Sequence, residues 1–281
     1  LFPKSEVIQV YANPIQNLNP LLELPELRSL EVSRIGPADF SILGALTGLE
    51  ELSAADNNLA DVAWIGQLHN LRHLHLSDNR IEDTSFLALL QQLESLYLSG
   101  NPLQSVSGLS TMPAELRFLE LANCGLSDVS DLGASDSLYN LNLSNNRISH
   151  IGPFGPFSGL ARLQLDNNSL RDLGELPAME SLWDLSLSDN QLVDISALSL
   201  LTNLGALNLS WNQITSIEAL QPLSSLSQLY LSGNPVRELG PLASLAELRS
   251  LELASMNLTV IPPLPDLPRL YSLTLSDNQI V

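Results

Sequence analysis

The sequence predicts an α/β repeat solenoid, in which one short unit of strand, tight turn and return segment is stacked on itself, and three observations predict it. One pattern returns every twenty-two residues along the chain, the mark of a repeat architecture. The composition is 44% hydrophobic and only 5% aromatic, so the core must be aliphatic, which suits near-identical layers better than an irregular globule. Once a strand and a turn are placed, about eleven residues per copy remain for the way back, too few for the long helices of larger repeat classes. A length of 281 residues would ordinarily suggest two domains. A repeat array, however, has no size at which its core stops growing, so residues 1–281 read as a single array.

The strand is the first element of each copy. Segments beginning at Leu49, Leu71, Leu93, Leu138, Leu160, Leu182, Leu204, Leu226 and Leu270 share L-x-x-L-x-L-x-x-N-x-L/I/V, and weaker copies begin at Ser5, Leu27, Leu116 and Leu248, thirteen in all. One extra residue near Met112 and Pro113 sets Leu116 one place late. The central L-x-L, such as Leu185 and Leu187, has the period of two expected of a strand with one buried face. Such a unit cannot bury its own leucines, so stability must come from copy stacking on copy into a parallel sheet. At about 4.8 Å between strands, the array would be roughly 60 Å long.

The turn is the second element. Asn recurs at Asn13, Asn57, Asn79, Asn101, Asn146, Asn168, Asn190, Asn212, Asn234 and Asn278. Its amide carries two donors and an acceptor, which can pair turn backbone groups that the sheet leaves over. Ile35, Cys124 and Met256 interrupt this ladder, and those three turns are expected to be weaker or differently bonded. Cys124 fits there as a small buried group rather than a nucleophile. As the single cysteine it excludes an internal disulfide framework and any multi-cysteine metal site.

The return is the third element, x-D-I/L/V-x-x-L-x-x-L, as at Asp61-Val62, Asp172-Leu173 and Asp194-Ile195. Short 3-10 turns or extended pieces are expected there, most plainly in the proline-rich Ile261–Pro268 segment, because proline removes helix hydrogen bonds.

With these residues in place the chain resembles a leucine-rich-repeat protein of the 22-residue class. It is similar to bacterial internalins and, as a second choice, to the repeat-built regulatory subunit of type-1 protein phosphatase. The similarity covers residues 5 to 281, and the Asn-, Ser- and Asp-rich turns lean towards internalins. Lys4 is the only lysine, a departure from the phosphatase subunit. The resemblance implies a horseshoe or arc with a parallel sheet on its concave face, protein–protein recognition on that face, and no enzyme activity. It also points to an exported protein, at a bacterial cell surface or extracellular, with the cytoplasm as the other setting.

Charge and motifs narrow the function classes. A net charge of −19 argues against nucleic acid and anionic membrane surfaces, which need clustered Lys and Arg, and no stretch approaches the roughly 18 apolar residues of a membrane span. Lys4 has no preceding glycine, so there is no P-loop, and neither H-E-x-x-H nor G-x-S-x-G occurs. No cofactor is expected. His73 and His75 should point outward from one strand about 6.6 Å apart, but they lack evident third and fourth metal ligands. Asp128, Asp131 and Asp136 lack the tight oxygen spacing of a calcium loop and read as solvated carboxylates. The N-x-S/T sequons at Asn142, Asn167, Asn208 and Asn257 follow from the wording of the repeat.

Function should be written in the exposed columns. The position after the first Leu alternates in sign through Glu6, Arg28, Glu50, Arg72, Glu94 and Arg117, a ladder expected to neutralise itself. The outward positions then turn aromatic. His73, His75, Tyr97, Phe118, Tyr139, Arg162, Trp183 and Asp184 are expected to form a diagonal band and to be the partner-binding site, since Tyr, Trp and Arg dominate contact hot spots. Trp211 and Tyr230 are extensions of it, and the Phe154–Phe157 loop is the fallback should the rings prove to be structural cover. A histidine changes charge between about pH 5 and 8, so recognition through His73 and His75 should depend on pH. The expected partner is a protein, with a glycan-binding surface and a self-assembling scaffold as alternatives. The N-terminal LFPKSEVIQV has neither an initiator Met nor a signal-peptide pattern, and neither end has a polar capping segment. Further residues, another domain or a second copy stacked end to end is therefore expected to cover at least one end.

Overall fold

A computed structural model of the chain describes residues 4–151, 157–174, 176, 179–261 and 263–281. The chain divides into two compact units, Leu1–Leu141 and Asn142–Val281, each of which is a stack of three-residue parallel strands.

In the first unit the strands are β1 (Val7–Gln9), β2 (Ser29–Glu31), β3 (Glu51–Ser53), β4 (His73–His75), β5 (Ser95–Tyr97) and β6 (Phe118–Glu120). Each pairs with the next in sequence: Leu30 stands beside Leu52 and Leu52 beside Leu74. At β5 and β6, Leu96 meets Leu119. The extra residue near Met112 is thus absorbed in the return segment, and the buried face keeps its register. The strand β7 (Asn140–Asn142) begins on this unit's last turns, where the N–H groups of Tyr139 and Asn140 both donate to Arg117 O at 2.9 Å.

In the second unit β8 (Arg162–Gln164), β9 (Asp184–Ser186), β10 (Ala206–Asn208), β11 (Gln228–Tyr230), β12 (Ser250–Glu252) and β13 (Ser272–Thr274) pair in the same parallel order. In both units the middle residue of a strand points inward. Leu74, Leu96 and Leu119 in the first, and Leu163, Leu185 and Leu207 in the second, are buried, each worth about 1.5–3 kcal/mol of hydrophobic stabilisation before entropy is charged.

The returns are short, as their length requires. Those of the first unit form 3-10 segments at Asn19–Glu23, Ser41–Ala45, Ala63–Gln67, Ser85–Leu89 and Ser107–Leu109, and those of the second at Ser196–Leu200, Glu218–Leu220 and Gly240–Ser244. The described residues of the Ile261–Pro268 return form no helix. The recurrent Asp sets the entrance of the return. Asp39, Asp61, Asp83 and Asp194 accept the N–H of the residue two places on, at 2.8–3.1 Å, an Asx turn that orients the chain before the 3-10 segment. Asp128 does the same to Ser130 at 2.8 Å, so this carboxylate, read from sequence as solvated, orders its own loop. Hydrogen bonds from the backbone N–H and then the side chain of Ser85 hold the Asp83 carboxyl below its usual value, and Ser130 does this for Asp128.

The asparagine ladder joins the copies within each unit. Asn190 donates to Leu165 O one copy back at 3.0 Å and to Leu187 O in its own copy at 3.1 Å, while its Oδ1 accepts the Leu170 N–H at 3.0 Å. Asn168 and Asn212 in the second unit, and Asn79 and Asn101 in the first, repeat the arrangement. Two of the interrupted rungs, at Cys124 and Ile35, are differently bonded. Cys124 Sγ lies 3.4 Å from Leu98 O, a carbonyl that also accepts from Asn101 at 2.7 Å. Where Ile35 replaces Asn, the Ile15 N–H turns to Asn13 O and Ile35 O at 2.8 and 3.2 Å. Among the described residues no buried side-chain nitrogen or oxygen lacks a hydrogen-bond partner. Burial pushes the Cys124 thiol up to about 11, which makes it a packing group and not a nucleophile.

One backbone feature recurs that the periodic reading had not separated. The residue before each ladder position has positive φ in all thirteen copies: Ala12, Arg34, Asp56, Asp78, Gly100, Asn123, Asn145, Asn167, Asp189, Trp211, Gly233, Ser255 and Asp277. Most of these are Gly, Asn or Asp, the residues that enter the left-handed region with least strain.

Candidate functional site

The sheet face of the first unit is built by β4, β5 and β6. Alternation buries Leu74 and leaves His73 and His75 on the exposed side. His75 packs edge-on against Tyr97, with ring centroids 5.4 Å apart, and Phe118 packs edge-on against Tyr139 at 6.2 Å, a geometry that favours aromatic pairs beyond their buried area. Ser95 also faces outward, yet it is covered by its neighbours, and its hydroxyl lies 2.7 Å from His73 Nδ1. His73, His75 and Tyr97, with Glu31, Glu51 and their neighbours, line a shallow depression of about 190 Å³. Phe118 and Tyr139, with Arg117 and Ser137, line another of about 360 Å³. Phe118 and Tyr139 remain 39% and 43% exposed.

The charged column beside these rings pairs in twos within the unit. Arg28 stands 3.7 Å from Glu50 and Arg72 2.6 Å from Glu94, and the Arg72 hydrogen bond holds the Glu94 carboxyl below its usual value. Arg28 divides its guanidinium between Glu50 and the Gly48 carbonyl, at 3.1 Å to the latter. The sequence alternation therefore appears as local pairs. Exposed ion pairs of this kind contribute little to stability.

The sheet face of the second unit has a different construction. Trp183 is flanked in its column by the small residues Ala161 and Gly205, and a Cβ added at Gly205 would lie 3.6 Å from the indole. The Arg162 guanidinium sits 5.0 Å from the Trp183 ring centroid, and its Nε is 3.8 Å from the Asp184 carboxylate. Burial raises the Asp184 carboxyl above its usual value, opposed by Arg162 and reinforced by Asp166. Asp166 accepts from the hydroxyls of Ser186 and Ser188 and from the Ser188 N–H. Tyr230 donates to Gln228 at 2.9 Å, and its phenol is raised first by burial and then by Glu252 and Asp184.

The eight residues of the expected band thus fall on sheet faces, five in the first unit and three in the second, and each group makes its own contacts. Among the described residues no group of three His, Cys, Asp or Glu side chains is placed to hold a metal ion. Of the fallback loop, Phe157 is buried, and Phe154 to Pro156 lie outside the described residues. No helix of the described residues is long and apolar enough to cross a membrane.

Sequence reasoning gave Trp211 only a peripheral place. It is 53% exposed and holds φ +57, a conformation that costs a residue with a side chain about 1–2 kcal/mol. The stack enforces it, since the Trp211 N–H donates to Ser232 O at 2.7 Å. Its indole lies on Gly233, where an added Cβ would stand 2.5 Å from Cε3. The signal that could have found it is an aromatic residue in a column otherwise dominated by Asn, Asp and Gly.

Comparison with known proteins agrees with this construction. Family models described as leucine rich repeats match residues 47–89, 92–112, 136–192 and 193–236. No curated protein matches the sequence. Among solved structures, an internalin, InlF of Listeria monocytogenes, is 27% identical with a TM-score of 0.73, covering 95% of this chain and 86% of that one. The functional domain of InlJ from Listeria monocytogenes, which includes a cysteine ladder, is 20% identical with a TM-score of 0.69, over 98% of this chain and 64% of that one. A chain of the LRIM1/APL1C complex is 22% identical with a TM-score of 0.79, over 95% of this chain and 51% of that one.

Proposed function

Because this chain belongs to the leucine-rich-repeat family and resembles internalins, whose repeat domains generally mediate protein–protein recognition, we propose that it is a non-enzymatic module that binds a protein partner through its sheet faces. The observation that carries this reading is the exposure of aromatic side chains there, in a chain whose interior is mostly aliphatic. In the first unit the contact residues are His73, His75, Tyr97, Phe118 and Tyr139. In the second they are Arg162, Trp183 and Asp184, where a cation stacked on an indole and facing a carboxylate offers both an apolar plate and a charge. Rings held by other rings, or by an arginine, lose little rotamer freedom on binding, which lowers the entropic cost of association. The solved LRIM1/APL1C complex shows this fold in an assembly with another protein, which supports a protein as partner. The internalin resemblance likewise supports an exported, surface-associated setting.

The reading is tested by photo-crosslinking from defined positions in the whole chain. A photoreactive residue at Glu51 or Gln164, on the sheet faces, should capture a partner protein. The same residue at Leu89 or Leu200, exposed on the 3-10 returns, should capture none. Capture from Leu89 and Leu200 alone would place recognition on the other side and end the proposal.

A further inference from the structure

We propose that the turn edge of the second unit carries a site for a carbohydrate chain, in which the indole of Trp211 is the platform for one pyranose ring, the side chain of Asp189 hydrogen-bonds its hydroxyls and Asn167 meets the next sugar. The site is separate from the sheet-face patches and does not depend on them.

Three observations lead there. The left-handed column that precedes the ladder is filled by Asp, Asn or Gly in nine of thirteen copies, and Trp211 is its one aromatic residue. Trp is poorly suited to that conformation, and little in the fold calls for its ring at this place, which stays half exposed. Strain retained at an exposed side chain points to a use outside folding. Second, the ring has a prepared seat. Gly233 carries no side chain, and a Cβ there would meet Cε3 and Cδ2 of the indole at 2.5 and 2.7 Å, so the indole rests against bare backbone. Third, the adjoining positions of the column are Asp189, Asn167 and Asn145, the last two joined by an amide hydrogen bond of 2.8 Å from Asn167 Nδ2 to Asn145 Oδ1. After that bond Asn167 keeps an amide proton and a carbonyl oxygen for a ligand, and the Asp189 carboxylate is exposed.

The chemistry of this edge selects among ligands. One flat apolar plate bordered by carboxylate and amide groups matches a pyranose, which has an apolar C–H face and a rim of hydroxyls that both donate and accept. A lipid or an apolar peptide segment would need a continuous apolar patch, and the neighbours of Trp211 in the column are Asp189 and Gly233. A divalent cation would find a single carboxylate, too few ligands for its shell. Successive copies lie about 4.8 Å apart, so Asp189, one copy from Trp211, borders a sugar stacked on the ring, while Asn167, about 9.6 Å away, borders the next sugar of a chain.

The test follows the indole N–H signals of the three tryptophans, Trp64, Trp183 and Trp211, by NMR in the whole chain, while maltotriose, cellotriose, chitotriose and mannotriose are titrated to millimolar concentration. At least one sugar should move the Trp211 signal and leave Trp183 in place. Trp211→Asn should weaken that sugar's binding at least tenfold, roughly the loss of a hot-spot contact, while the melting temperature holds or rises because the strain is removed. Gly233→Ala, which keeps the indole but fills its seat, should weaken binding comparably. A Trp211 signal that none of the sugars moves, movement of Trp183 in its place, or a Trp211→Asn variant that melts earlier and binds unchanged would each overturn the site. None of these outcomes bears on the crosslinks from Glu51 and Gln164, so the two proposals fail separately.

Discussion

Within each unit the buried and exposed columns obey opposite rules. Inside, position after position repeats one residue: leucine at the strand centre and asparagine in the turn. Outside, the sheet face changes at almost every copy, from His73 to Ser95 to Phe118 in the first unit and from Arg162 to Asp184 to Ala206 in the second. A stack of copies is stable only if neighbours fit, so the inner columns are held to one answer. The outer columns are released from that demand, and a large ring or a cation there needs a reason outside the core. Stability and recognition are thus carried by different columns, and substitutions should separate them.

The largest effect should come from the ladder. Asn190→Ala or Asn168→Ala leaves buried carbonyls and an N–H without their side-chain partner, a loss of about 3 kcal/mol. Gln164→Ala on the sheet face should stay within about 0.5 kcal/mol. Thermal melts with equal small losses would erase the distinction between columns. Ser186 is a poorer control, since its hydroxyl is held by Asp166.

A smaller effect should appear where the ladder is already broken. Cys124→Asn would add an amide to the rung between Leu98 and the turn, and should stabilise the chain by about 1 kcal/mol. With its thiol buried and pushed up to about 11, Cys124 should resist alkylation at neutral pH until the chain unfolds. Rapid labelling of the native protein would show that the first unit opens locally at this turn.

The smallest effect concerns the Asx turns. Asp83 and Asp128 are held below the usual carboxylate value of 3.8 by hydrogen bonds to Ser85 and Ser130. A lowered folded pKa means that their contribution is fully present above the unfolded value and is lost as pH falls through the folded one. Asp83→Asn with Asp128→Asn should therefore flatten the fall of the melting temperature below about pH 4 and change little at pH 7. An unchanged acid profile would mean that the turns form without the charge.

How much of this was legible in the sequence follows from the same division. The strands, the ladder and the outward aim of His73 and His75 could be read because a period of two and a repeat of twenty-two fix them geometrically. The left-handed column was missed because its signal is chemical rather than periodic. Asp56, Asn145 and Gly233 share no hydropathy, only tolerance of positive φ, and Trp211 hides the pattern where it matters most. The Asx turns were missed because an exposed carboxylate and a capping one look alike until the Ser85 and Ser130 N–H groups are placed. The period of two places Ser95 outward, but its burial depends on the sizes of neighbours in other copies.

The central claim, that recognition and stability occupy different columns, is tested most directly by truncating one ring in each unit and reading two quantities from the same samples. With the partner obtained by crosslinking, Phe118→Ala and Trp183→Ala should each weaken binding by about 2 kcal/mol or more, while the melting temperature stays close to that of the parent chain. If both variants melt early and bind the partner with unchanged affinity, the rings are part of the fold and the claim is wrong.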